Sequence, residues 1–145
     1  MNTAPGHGRP RLAMMNLGSG SGGNCTLLEA RHDTECRRIL IDCGFSIRRT
    51  REHLDSIDVT LDSIDAVVLT HLDRDHFNPS WVATLERLEI PIHITAGHER
   101  EARAAGIAPT AWRLFADHID LGAGLVARPI TLAHDDSGCA AYRFE

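Results

Sequence analysis

Two imidazoles and two carboxylates fall within six residues of this chain, in His71-Leu72-Asp73-Arg74-Asp75-His76. All four side chains are ligands for hard or borderline divalent metals. The run Val67-Val68-Leu69-Thr70 comes immediately before them and reads as a strand, because β-branched and apolar residues suit a pleated surface. Side chains alternate along an extended backbone. If the strand continues through Asp75, His71, Asp73 and Asp75 face one side, and His76 turns inward as the loop bends. One short loop is thereby expected to serve one metal ion or two neighbouring ones. Solvated loops are built instead from Gly, Asn and Ser, whose backbone preferences make turns.

Two other stretches carry chemistry. Gly18-Ser19-Gly20-Ser21-Gly22-Gly23-Asn24 is a glycine-rich turn after a first apolar segment, and Asp42 ends the run Arg37 to Asp42, which reads as a strand. Gly18, Gly20 and Gly23 match G-x-G-x-x-G, and Asp42 lies 19 residues after Gly23 (42 − 23), so a dinucleotide-binding βαβ unit is one reading. It requires a helix over residues 24–36. Apolar residues stop at Ala30 and resume only at Cys36, however, and His32-Asp33-Thr34-Glu35 reads as a hairpin turn. The nucleotide reading also leaves the His/Asp loop without a role.

Taken together, Leu17 to Thr26, Ile41-Asp42-Cys43-Gly44 and Thr70 to His76 resemble the metallo-β-lactamase-fold hydrolases. The glycine turn is similar to that of the YycJ/WalJ-like branch, which is related to ribonuclease Z. Thr131-Leu132-Ala133-His134-Asp135 resembles the next metal-binding histidine of the family. The resemblance implies an α/β layered fold, the αββα sandwich. It implies His71 and His134 at one metal and Asp75 and His76 at a second, with Asp42 orienting ligands by hydrogen bonds. Asp73 stands where the family more often has histidine. Its hard oxygen keeps it a ligand and shifts preference from zinc, the expected ion, toward manganese or iron. Up to two ions are expected. The implied reaction is attack of metal-bound hydroxide on a phosphodiester, nuclease-like, with Asp75 and His76 as catalytic residues. Ser19, Ser21, Gly22 and Asn24 are candidates for contact with the substrate phosphate, through the anion-binding geometry of such turns.

The family also carries a downstream aspartate and histidine that this sequence lacks after His134. The expectation is a domain over residues 11–145 matching the first half to two-thirds of the family fold, preceded by a disordered leader over 1–10. An alternative function follows: a non-catalytic metal-binding or interaction module. Apolar faces left uncovered would favour a homodimer or pairing with a missing C-terminal half.

At 145 residues the chain has the length of one domain with a real core. A net charge of −5 argues against a general nucleic-acid binder but not against an enzyme acting on phosphates in small molecules or nucleic acids. No apolar run reaches membrane-spanning length and no signal peptide is legible, so a cytoplasmic location without membrane association is expected. The four cysteines form no C-x-x-C pair and are expected as free thiols, mostly buried. His118 is a further ligand candidate, and Arg48, Arg49 and Arg51 are read as a solvated helix face.

The remaining pattern gives strands at Arg11–Leu17, Cys25–Ala30, Arg37–Asp42, Asp65–Thr70 and Pro91–Thr95. Helices are expected from Ser46 to Asp55, from Asn78 with Trp81, Val82, Leu85 and Leu88 on one face, and from Gly97 to Ala105. Strand-like segments follow from Trp112 onward. This is a mixed α/β order.

Overall fold

The computed structural model describes residues 9–134, 136 and 138–145. Most of the expected leader, and Asp135, lie outside them. Three strands open the fold: β1 (Arg11–Gly18), β2 (Cys25–His32) and β3 (Glu35–Ile41), paired antiparallel in sequence order. The second strand refutes the dinucleotide-binding reading, since residues 25–32 pair with β1 instead of forming a helix. Thr34 and Asp33 make the hairpin turn, with Asp33 at φ 52°.

Parallel strands then extend the sheet through β4 (Ala66–Val68), β5 (Ile92–Thr95) and β6 (Trp112–Phe115), giving six strands in the order β1 to β6. Each parallel step is made by a helical crossover: α1 (Ile47–Asp55), α2 (Trp81–Arg87), and α3 (Glu99–Ala104) preceded by a 3₁₀ turn. Ser46 caps α1 as expected, its side chain accepting from the Arg49 N–H. The buried face of α1 is Thr50 and Leu54, and Arg51 is exposed on the solvated side. Asn78 and Pro79 form a turn ahead of α2, which begins at Trp81.

Alternation in the strands builds two cores. Leu27, Leu40 and Val67 face Leu54, Trp81, Leu85 and Ala102 of the helices. Leu28, Ile39, Ala66 and Val68 face the other way, toward Ile119, Leu121, Leu125 and Ala127. Those last residues belong to or flank a second, three-stranded antiparallel sheet of β7 (Ile119–Asp120), β8 (Val126–Leu132) and β9 (Cys139–Phe144). Helices, large sheet and small sheet stack as layers, which is the α/β layering expected. All four cysteines are free, but only Cys25 and Cys43 are fully buried.

Candidate metal centre

Chain geometry alone brings the site together. Because β3 and β4 run parallel, the residues that follow them, Asp42 and Thr70-His71, emerge at the same edge of the sheet. Ligand sites in parallel sheets lie at these carboxyl ends. Tyr142 donates its hydroxyl to the Leu69 carbonyl (2.6 Å), and the Ala140 N–H bonds the Thr70 carbonyl (2.8 Å), so the second sheet is tied to the same edge. That tie delivers His134, which follows β8.

The expected extension through Asp75 is not observed. β4 ends at Val68, and the N–H groups of His76 and Phe77 both donate to the Asp73 carbonyl at 2.8 Å, closing a turn. The turn separates the ligands into two groups. His71 Nε2 lies 3.5 Å and His134 Nε2 lies 3.2 Å from Asp73 Oδ2, and ligand atoms of these three residues all lie within 4.8 Å of one another. Ligands at about 2.1 Å from a common ion stand a little over 3 Å apart, so the two distances to Asp73 fit a divalent metal. In the second group, Asp75 Oδ2 lies 3.6 Å from His76 Nε2.

Asp42 holds the two groups in register. It is 4% exposed and adopts φ 61°, a left-handed conformation uncommon outside glycine, asparagine and aspartate. Its Oδ1 accepts the Thr70 N–H (2.8 Å), and its Oδ2 accepts from the Thr70 hydroxyl (2.9 Å) and His76 Nδ1 (2.7 Å). With its hydrogen committed to Asp42, the Thr70 oxygen accepts from His71 Nδ1 at 2.9 Å. Both histidines therefore carry hydrogen on Nδ1 and present the Nε2 lone pair outward, the tautomer that binds a metal.

Their charge balance differs. Burial lowers the His71 pKa, helped by the neighbouring His76, against the attraction of Asp42 and Asp73. Burial also opposes charging of His76, but the hydrogen bond and charge of Asp42, with Asp75 and Asp73, outweigh it and raise its pKa.

Asn24, expected at a substrate phosphate, has its amide engaged within the protein. Oδ1 accepts the Gly20 N–H (3.1 Å), while Nδ2 lies 3.0 Å from the Asp75 carbonyl, 3.3 Å from Asp75 Oδ2 and 3.1 Å from His76 Nε2. The glycine turn is thus clamped onto the metal loop. Ser19, Ser21 and Gly22 are exposed at its tip. Gly44 permits the contact: a Cβ there would overlap the Asp75 carbonyl oxygen.

The other histidines are placed elsewhere. His118 is exposed and outside the His71/Asp73/His134 group. His98, in the 3₁₀ turn before α3, is buried between Thr95 Oγ1 (2.7 Å) and the Gly138 carbonyl (2.9 Å). Thr70 carries a role that its place at a strand end does not announce; a hydroxyl directly before the first histidine is the available signal.

The family model of the metallo-beta-lactamase superfamily matches residues 18–142. The chain belongs to that superfamily. Among solved superfamily-like structures, a diphosphatase of the PhnP family matches with TM-score 0.66 and 18% identity, over 92% of this chain and 63% of that one. The chemotaxis sensor ODP, solved as a peroxy diiron species, matches with TM-score 0.62 and 19% identity, over 90% of this chain and 54% of that one. In sequence, 49 residues are 43% identical to the transcription termination factor FttA of Methanococcus maripaludis, 31% of this chain and 8% of that protein. The chain thus spans 63% and 54% of the length of these two structures, and a small part of FttA. No helix among its described residues is long and apolar enough to cross a membrane.

Proposed function

We propose that the protein is a metal-dependent hydrolase acting on a phosphodiester bond, of the YycJ/WalJ-like, ribonuclease Z-related branch. One observation carries it: His71, Asp73 and His134 converge from two sheets, with His71 oriented through Thr70 and Asp42 so that its Nε2 faces the other two. The glycine turn supports the branch, and likeness to a diphosphatase is consistent with phosphate chemistry. His71, Asp73 and His134 would hold one divalent ion, and Asp75 with His76 a second. The chemistry such ions supply is activation of water and polarisation of a phosphoryl oxygen. Asp75, beside His76, would accept a proton from the attacking water, and Ser19, Ser21, Gly22 and Asn24 remain the proposed face toward the phosphate. Zinc is the proposed ion. The carboxylate of Asp73 lets manganese or iron compete more strongly than at an all-histidine site. A cytoplasmic location belongs to the same proposal.

The test is metal content after purification together with hydrolysis of bis(p-nitrophenyl) phosphate. The reading expects at least about one equivalent of metal, lost with His71→Ala, and turnover that follows it. Less than about half an equivalent, unchanged by His71→Ala, would remove the metal claim.

A non-catalytic metal-binding module is favoured by one observation: among the described residues, only Asp75 and His76 form the second group, and Asn24 Nδ2 stands against the His76 Nε2. It expects bound metal without turnover. Association with a second copy or another chain is supported by exposed Leu12, Met14, Ile130 and Leu132, and sedimentation velocity would check it.

A further inference from the structure

The loop that carries the metal-facing side chains also walls a cavity of roughly 330 Å³. His71 and Asp73 form one edge, and the apolar side chains of Leu72, Phe77, Pro79 and Ala105 form much of the rest. Its volume is at the small end of the range for small-molecule sites, about 300–1,000 Å³, and suits one compact organic group.

A single arginine, Arg74, lines it, and there is no lysine in the chain. Arg74 is exposed between Asp73 and Asp75 in sequence, yet among the described residues it has no hydrogen bond or ion pair. Most of the chain's arginines are already engaged: Arg37 with Asp65, Arg38 with Glu29, Arg103 with Glu99. The wall also carries His98 and Glu101. His98 bonds Thr95 and Gly138, and the Glu101 carboxylate reaches Arg100 at 3.2 Å. A guanidinium is a planar, bidentate partner for phosphate or carboxylate.

We propose that this cavity binds a small organic diphosphate, or a phosphodiester carrying a second anionic group. The reacting phosphate lies at the His71/Asp73 edge, Arg74 pairs with the second anion, and the apolar body packs on Leu72, Phe77 and Pro79. Arg74 is then a specificity residue. Neutral substrates such as lactones leave it unpaired. The assignment of the first phosphate rests on the metal-hydrolase reading above.

The test uses the full chain loaded with manganese and two probes in calorimetric titration. These are inorganic phosphate and α,β-methylene-ADP, a non-hydrolysable diphosphate with a flat ring. Arg74→Ala is expected to weaken the methylene-ADP about tenfold or more and phosphate less than about threefold, with Arg74→Lys recovering part of the loss. Metal stoichiometry and circular dichroism should not change, since the side chain is exposed and unpaired. Equal methylene-ADP affinity in wild type and Arg74→Ala overturns the proposal while leaving the metal reading intact. So does binding of phosphate without any binding of the methylene-ADP. Failure of wild type to take up metal overturns both.

Discussion

The Nδ1 of His76 lies 2.7 Å from Oδ2 of Asp42, a buried carboxylate that also takes the backbone N–H and hydroxyl of Thr70. One carboxylate thereby orients both histidines of the loop, directly for His76 and through Thr70 for His71. Asp42→Asn separates this role from backbone strain, because asparagine tolerates φ 61° as aspartate does. The amide has one acceptor oxygen where the carboxylate has two, and no charge. Expected are a loss of about 1–3 kcal/mol in denaturant unfolding and about 10- to 100-fold in metal affinity. Unchanged metal affinity would show that Asp42 is only structural.

Asn24 offers a charge test of the second group of ligands. Asn24→Asp places a second carboxylate beside Asp75 and the His76 Nε2, where the amide nitrogen now stands. The metal-free variant should melt below wild type. Adding manganese should raise its melting temperature by more than it raises that of wild type, because an ion relieves the repulsion. An equal or smaller rise would mean that no cation binds between Asp75 and His76.

Gly44 is predicted to be intolerant of any side chain. Its N–H donates to the Asn24 carbonyl (2.9 Å), and a Cβ would overlap the Asp75 carbonyl oxygen and stand 2.5 Å from the Asn24 nitrogen. Both contacts are backbone, so neither neighbour can rotate away. Gly44→Ala should cost about 2 kcal/mol or more in chemical denaturation. A variant as stable as wild type would contradict the close approach of the glycine turn to the metal loop.

His93, in β5, supplies a pH dependence away from the metal site. Burial, reinforced by Arg113 on the neighbouring strand, lowers its pKa from the ordinary value of 6.5 to about 4. Its Nδ1 is buried without a hydrogen-bond partner among the described residues. The unfolded chain then binds a proton at a higher pH than the fold does. Stability contributed by the neutral ring is fully present above pH 6.5 and falls as pH drops toward 4, by up to about 3 kcal/mol. His93→Leu should flatten this part of the pH–stability curve and be neutral or stabilising at pH 7. An unchanged slope between pH 6.5 and 4 would refute the assignment.

Much of this protein was legible in residue order. Alternation of Leu27/Leu28, Ile39/Leu40 and Val67/Val68 marks strands buried on both faces, and Ser46 marks the start of α1. The types of His71, Asp73, Asp75 and His76 name metal chemistry, since few other roles gather two imidazoles and two carboxylates in one loop. Periodicity cannot, however, report how a backbone turns once it leaves the sheet. The hydrogen bonds from His76 and Phe77 back to the Asp73 carbonyl end the alternation and split the loop, sending Asp73 toward His134 and Asp75 toward Asn24. Those partners lie 61 and 51 residues away, at distances set by the packing of two sheets. The residue types were local information. Their grouping, the tautomers imposed through Thr70, and the placing of Arg74 on a cavity wall depend on long-range contacts that only the folded chain makes.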